Sequence, residues 1–199
     1  PLSLLRENVQ NAYDAILQRS HIDTDFINPE IRITIDNHTL SIYDNGIGMD
    51  ADGLKTHYWT AGSSGKNNPE ARAAGVVGTF GVGAMANFGV CTELNVESKL
   101  YGTDITWLSG VKKSELSLSD NCIYISESKH NRSDFGTTIK VTISSDFMLN
   151  KDNALAYLKP YVRYLSVPVY LNDVLISQES YDITLSTNYI DSGIQHYKD

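Results

Sequence analysis

A carboxylate and an amide lie one helical turn apart near the start of the chain, at Glu7 and Asn11, and Asp14 follows on the same side. Apolar residues recur there at helical spacing, which predicts a helix over 2–18. Residues spaced i, i+4 and i+7 share one helix face. An amide oxygen is a suitable ligand for Mg²⁺, and a neighbouring carboxylate can accept a proton from an attacking water. A plain solvated polar face is the alternative interpretation.

A second carboxylate, Asp44, follows a predicted strand and opens the segment DNGIGM at 44–49. An aspartate at a strand end, followed by two glycines, lies at the sheet edge beneath backbone that a ligand can approach closely. Such a carboxylate can accept a hydrogen bond from the exocyclic amine of adenine. A simple Asp-Asn-Gly turn is the alternative, but it leaves Gly48 and Met49 without a role.

A third glycine-rich segment, GTFGVGA at 78–84, opens an apolar stretch with helical character. Backbone N–H groups at the start of a helix bind anions, which suits phosphate. Residues 81–86 also match the G-x-G-x-x-A pattern of dinucleotide sites, but no clear buried strand precedes them. An oxidoreductase that uses NAD is therefore the alternative from another functional class. Residues 62–66 do not complete a Walker A motif, because Asn67 stands where Ser or Thr is needed.

The surrounding pattern indicates which elements hold these segments. Strands are predicted at 31–35, 40–43, 91–98, 104–108, 122–127 and 137–143, with a hairpin at 167–171 and 174–176. A short helix is predicted near 50–57 and a longer one over about 151–165. Because strict β-α-β alternation is absent, we predict an α+β fold, a two-layer sandwich with a mostly antiparallel mixed sheet.

The composition is typical of a globular chain with an acidic surface. Hydrophobic residues make up 41% of the 199 residues, enough for a core, so we expect one compact domain over 1–199. The net charge of −8 makes nucleic acid an unexpected partner. No apolar run approaches the roughly 20 residues that span a bilayer, so no membrane association is expected.

The two cysteines and the chain ends suggest the setting of the protein. Cys91 and Cys122 each lie in an apolar stretch, which favours buried, reduced thiols and a cytoplasmic location over a disulfide. The chain begins at Pro1 without Met, and we expect it to be a piece of a longer protein. The tail after about residue 177 has no clear pattern.

Taken together, four segments resemble the nucleotide-binding boxes of the GHKL ATPase superfamily, which includes gyrase, Hsp90, histidine kinases and MutL. They are ENVQNAYDA at 7–15, DNGIGM at 44–49, GTFGVG at 78–83 and GTTI at 136–139. Within the superfamily the chain is most similar to the N-terminal ATP-binding domain of Hsp90 and of bacterial Hsp90-like proteins, over roughly residues 2–176. The resemblance implies the Bergerat α/β sandwich of that family.

The resemblance also implies a role for each matching residue. Glu7 matches the general base that activates water, and Asn11 matches the Mg²⁺ ligand. Asp44 matches the carboxylate that reads adenine, aided by Thr137 through a shared water. The other matching positions line the nucleotide, with Asp14, Ala15, Gly48 and Met49 beside the base and Gly81, Val82 and Gly83 in the phosphate loop.

For the whole protein, the resemblance implies ATP or ADP with Mg²⁺ as cofactors and a lid over about 50–78. Lid closure would be coupled to homodimerisation of the full-length protein and to chaperone-type action on protein clients. Hydrolysis by this segment alone is expected to be weak, because the family takes a phosphate-sensing Arg or Lys from a following domain. Two other outputs of the same fold stay open: a MutL-, gyrase- or MORC-like DNA-processing ATPase, and a histidine-kinase-type ATP domain.

Overall fold

The computed structural model describes residues 2–59, 89–115 and 123–180. In chain order the elements are α1 (Leu2–Ile22), β1 (Ile31–Asp36), β2 (Thr39–Asp44), α2 (Ala51–Gly53, continued by the π-helical Leu54–Tyr58), β3 (Cys91–Lys99), β4 (Thr106–Lys112), a 3₁₀ turn (Lys113–Glu115), β5 (Tyr124–Glu127), β6 (Gly136–Ile143), α3 (Lys151–Val162), β7 (Val169–Leu171) and β8 (Val174–Leu175).

The strands of the described residues form one eight-stranded sheet in the order β5-β4-β3-β6-β2-β1-β7-β8. Neighbouring strands are antiparallel, except that β1 and β7 run parallel. Helices α1 and α3 contact each other, α1 also contacts β1 and β2, and α3 contacts β7. The α+β prediction with a mostly antiparallel mixed sheet is therefore confirmed.

The core lies between the helices and the sheet, and its residues follow the period of each element. Alternate strand residues are buried, because successive side chains of a strand point to opposite faces. Helix α1 buries a stripe at helical spacing. The stripe and the inward positions of the first two strands are Leu5, Val9, Ala12 and Ile16 of α1, Ile31, Ile33 and Ile35 of β1, and Leu40 and Ile42 of β2. Asp44 is the next inward position of β2 and is buried as well.

Predicted elements within the described residues are present, and their ends differ where tertiary contacts decide them. Helix α1 extends to Ile22 rather than 18, and α3 ends at Val162 rather than 165. Strand β4 covers Thr106–Lys112 instead of 104–108, because it pairs with β3 along this length. Cys91 is buried as predicted, whereas Cys122 lies outside the described residues.

None of the helices in the three described ranges is both long enough and apolar enough to cross a bilayer.

Arg19 joins the last turns of α1 to the end of β2. Its guanidinium donates to the carbonyl oxygen of Asn45 at 2.9 Å and to the carboxylate of Asp23 at 3.1 Å. The same group lies 4.1 Å from the centre of the Phe26 ring, a cation–π contact. The Arg19 side chain is only 14% exposed. These contacts explain why α1 continues beyond its apolar stripe.

Replacing Arg19 with lysine is expected to lower the free energy of unfolding by about 1–3 kcal/mol, because an ammonium group cannot reproduce the planar fork and its stacking. Urea unfolding of the chain measures the loss. The matched control is Arg163→Lys, since Arg163 is exposed and lies over the ring of Tyr164. Equal losses in the two variants would contradict the anchoring role of Arg19.

Candidate functional site

Three buried polar side chains lie in register across the centre of the sheet. Asp44 of β2 is opposite Thr137 of β6, and Thr137 is opposite Ser98 of β3. Their exposed fractions are 4%, 5% and 0%. Because opposite residues of neighbouring strands put their side chains on the same face, the three form a polar row at positions where the rest of the inner face is mainly apolar.

The Asp44 carboxylate is held in a low-dielectric setting. Burial raises the pKa of this carboxyl to about 7, and hydrogen bonding by backbone of Gly46 and Thr137 and the charge of Arg132 oppose the rise. The Gly46 N–H donates to Oδ1 at 2.9 Å. A buried carboxylate whose pKa is displaced in this way is a common feature of functional sites.

The turn after β2, residues 45–49 and called the glycine turn below, passes between α1 and β3 with no room for side chains at Gly46 and Gly48. A Cβ at Gly46 would lie 2.6 Å from the carbonyl carbon of Ala15. Gly48 has φ +67°, and a Cβ there would overlap the carbonyl oxygen of Lys99. The Ile47 N–H donates to the Ala15 oxygen at 3.0 Å. Both glycines are required because the backbone approaches its neighbours so closely.

Ser98 holds the far end of this turn, a role that the sequence analysis missed. Its Oγ accepts a hydrogen bond from the Met49 N–H at 2.8 Å and lies 2.9 Å from the hydroxyl of Thr137. One signal in the sequence is a polar residue that continues the inward series of β3 after Leu94 and Val96. The row and the turn thus bring together the predicted residues Asp44, Gly48, Met49 and Thr137.

The predicted residues of α1 lie along one line of the helix. Ala15 packs against Gly46, beside Asp44. Asn11 and Glu7 precede Ala15 by one and two helical turns, so they continue the same face away from the sheet row. Both are exposed. Asp14 is exposed too, and its carboxylate accepts a hydrogen bond from Gln10 at 3.0 Å.

The Asn11 side chain has the chemistry of the predicted magnesium ligand. Within the described ranges the exposed amide of Asn11 makes no hydrogen bond, so its oxygen is available as a ligand. The Glu7 carboxylate lies one turn earlier on the same face. An amide oxygen is a suitable ligand for Mg²⁺, and a carboxylate one turn away is placed to accept a proton from a water beside the ion.

Arg132, also missed by the sequence analysis, organises the start of β6. Its side chain is 6% exposed. The guanidinium donates to the carbonyl oxygens of Glu97 at 3.2 Å and Gly136 at 3.1 Å. Burial by itself would raise the pKa of the Asp134 carboxyl. Hydrogen bonds from Tyr43 and Arg132, together with the charge of Arg132, outweigh burial and hold this pKa below its usual range. Arg132 therefore fixes the backbone that carries Thr137.

The third box lies outside the described residues. Gly81, Val82 and Gly83 belong to this part of the chain, as does most of the predicted lid over 50–78. The lid's first residues are described and include α2, which confirms the short helix predicted near 50–57. The phosphate loop and the lid stay predictions.

Comparison with known proteins decides the family. Residues 3–137 match the family model described as histidine kinase-, DNA gyrase B- and HSP90-like ATPase. The chain belongs to this ATPase family. The match confirms the resemblance found in the four motifs, and its span includes the three residues of the polar row, Asp44, Ser98 and Thr137.

Curated relatives of this family member are bacterial proteins named chaperone protein HtpG. The Borrelia garinii subsp. bavariensis protein is 30% identical over 185 residues, which cover 84% of this chain and 28% of the relative. A Campylobacter jejuni protein is 27% identical over 183 residues, with coverage of 84% and 29%. A Bacillus velezensis protein is 36% identical over 114 residues, with coverage of 50% and 18%. The chain thus spans less than a third of the length of these relatives.

The raised pKa of Asp44 predicts how stability changes with pH. Because the folded-state pKa of about 7 exceeds the ordinary aspartate pKa of 3.8, the folded state binds more protons between these two pH values. The free energy of unfolding should therefore fall as the pH rises from about 4 to 7, by up to about 1.4 kcal/mol per pH unit. Urea unfolding across this range checks the slope.

The matched variants for this measurement are Asp44→Asn and Asp36→Asn. Asparagine at 44 cannot ionise, so that variant should lose the slope contributed by the buried carboxyl. Asp36 is exposed at the end of β1, and its replacement should leave the wild-type slope. Identical slopes for wild type and Asp44→Asn would contradict the prediction.

Proposed function

We propose that the chain binds ATP or ADP with Mg²⁺ and hydrolyses ATP, as the nucleotide-binding domain of an Hsp90-like ATPase. The observation that carries the proposal is the buried Asp44 carboxylate beside the glycine turn, in the segment that resembles the second nucleotide-binding box. A carboxylate in the core is costly unless it binds a partner. An adenine amine is a partner of the right chemistry.

The sheet side of the site suits the base. The Asp44 carboxylate accepts a hydrogen bond from the exocyclic amine of adenine, whereas guanine presents a carbonyl oxygen at that position, which a carboxylate repels. Thr137 lies opposite Asp44 in the sheet and offers its hydroxyl to the same end of the base. Gly48 and Met49 flank the base through their backbone, and Ala15 closes the helix side.

The helix side suits the phosphates. Asn11 would hold Mg²⁺ through its amide oxygen, and the bound ion neutralises charge on the phosphate oxygens. Glu7 accepts the proton of the attacking water as general base. Backbone N–H groups of Gly81, Val82 and Gly83 would contact the phosphates, and Asp14 would lie beside the pocket, as the family resemblance implies.

For the whole protein we propose a lid over about 50–78 that closes on the nucleotide, a homodimer and action on protein clients. Support comes from the relatives named chaperone protein HtpG, which match 84% of this chain. The net charge of −8 weighs against a DNA-processing output. Residues 1–199 would form a single domain of that longer protein.

Calorimetric titration of ADP with Mg²⁺ tests the base pocket. Wild-type chain should bind, and Asp44→Asn should bind about ten- to a hundredfold more weakly, because it loses a hydrogen bond to a charged group. The control Asp36→Asn should keep wild-type affinity, since Asp36 is exposed at the end of β1. No binding at millimolar ADP, or equal binding by Asp44→Asn, would refute the assignment.

Phosphate release from ATP by the full-length protein tests Glu7. Glu7→Gln should reduce turnover at least about a hundredfold, as expected for loss of a general base, and should change ADP affinity less than about twofold. Glu127→Gln, an exposed change on β5, is the control. Unchanged turnover in Glu7→Gln would show that Glu7 is not the general base. Transfer of phosphate to a histidine of a partner protein would favour the histidine-kinase alternative.

A further inference from the structure

We propose that Ser98 is a positioning residue of the nucleotide site, whose hydroxyl holds the Met49 backbone and the Thr137 side chain in one arrangement around the base. The inference rests on the proposed nucleotide binding at Asp44. It adds a residue of β3 to the proposed adenine site, whose other groups come from α1, β2, the glycine turn and β6.

The contacts of Ser98 join the two sides of the base pocket. Its Oγ accepts a hydrogen bond from the Met49 N–H at 2.8 Å, which fixes the end of the glycine turn. The same oxygen lies 2.9 Å from the Thr137 hydroxyl and 3.2 Å from the Gly136 carbonyl oxygen, both in β6. The glycine turn and β6 are thus both in contact with the hydroxyl of the fully buried Ser98.

A hydroxyl is needed at this position because of the turn. Gly48 has φ +67°, so the turn leaves regular backbone pairing, and the Met49 N–H that follows depends on a side chain for its partner. An apolar residue at 98, like Leu94 and Val96 earlier in the strand, would leave this N–H unpaired. A buried unpaired donor is costly.

Ser98 also determines what Thr137 offers to a ligand. A serine hydroxyl has one hydrogen and two lone pairs. When Ser98 donates to the Gly136 carbonyl, Thr137 donates to Ser98 and presents lone pairs to the pocket. When Ser98 donates to Thr137, the Thr137 hydrogen is free for Asp44 or the base. Removing the Ser98 hydroxyl takes away this control.

The test compares Ser98→Ala with Ser177→Ala in the 199-residue chain. Ser177 is 5% exposed. Its hydroxyl accepts from the Val169 N–H at 2.8 Å and donates to the Val167 carbonyl at 3.0 Å, so the same chemistry occurs at the β7–β8 end of the sheet. Both variants should lose stability in urea unfolding. Only Ser98→Ala should weaken ADP binding, by about tenfold.

A double-variant measurement provides a readout that a loss of stability would not move. If Ser98 acts through Thr137, the losses of ADP affinity in Ser98→Ala and Thr137→Val should not combine: the loss in the double variant should be smaller than the product of the two single losses. The double variant should bind ADP with the affinity of whichever single variant binds ADP more weakly, within about twofold. Amide hydrogen exchange at Met49 should accelerate in Ser98→Ala and stay at the wild-type rate in Ser177→Ala.

Each outcome decides between the two proposals. Equal ADP affinity of wild type and Ser98→Ala, or equal weakening by Ser177→Ala, overturns the positioning role and leaves the proposed function standing. Absence of ADP binding by the wild type overturns both. If Ser98→Ala does not fold, Ser98→Cys keeps the size of the side chain with a weakly bonding thiol, and the same tenfold loss is expected of it.

Discussion

The packing of Gly46 against the backbone of α1 is the contact on which the rest of the site depends. No side chain fits there, and the next residue, Ile47, donates its N–H to the Ala15 carbonyl at 3.0 Å. Arg19 binds the carbonyl of Asn45 just before the turn. Because helix and sheet are joined through backbone atoms, the Asp44 carboxylate of the sheet and the face of α1 that carries Glu7 and Asn11 keep a fixed relation.

This arrangement places a polar row where the fold would otherwise bury apolar side chains. The pKa of Asp44 rises to about 7 because the carboxylate is desolvated, and backbone N–H groups and Arg132 offset only part of that cost. A fold selected for stability alone would place an apolar residue there. A ligand that donates a further hydrogen bond to the carboxylate, as proposed above, would offset more of that cost.

The two layers of the sandwich divide the proposed chemistry. The sheet and the glycine turn supply buried, rigid groups, namely Asp44, Thr137 and the backbone of Met49, which suit recognition of a flat base. Helix α1 supplies exposed groups, Asn11 and Glu7, which suit a hydrated metal ion and a water. Rigid elements position recognition groups precisely, whereas the metal and the water require access to solvent.

The sequence by itself predicted the helices and strands of the described residues and named candidate site residues on α1 and after β2. Strand alternation and the helical stripe are local patterns, so β1, β2 and α1 were predictable, and the motif at 44–49 identified Asp44 and the glycine turn. Only the tertiary structure set the ends of β4. Only the tertiary structure revealed the contacts of Ser98 with the glycine turn and of Arg132 with the start of β6. Their roles depend on β3 lying beside β6 and on the register between them, and strand order is a non-local property that a local pattern does not contain.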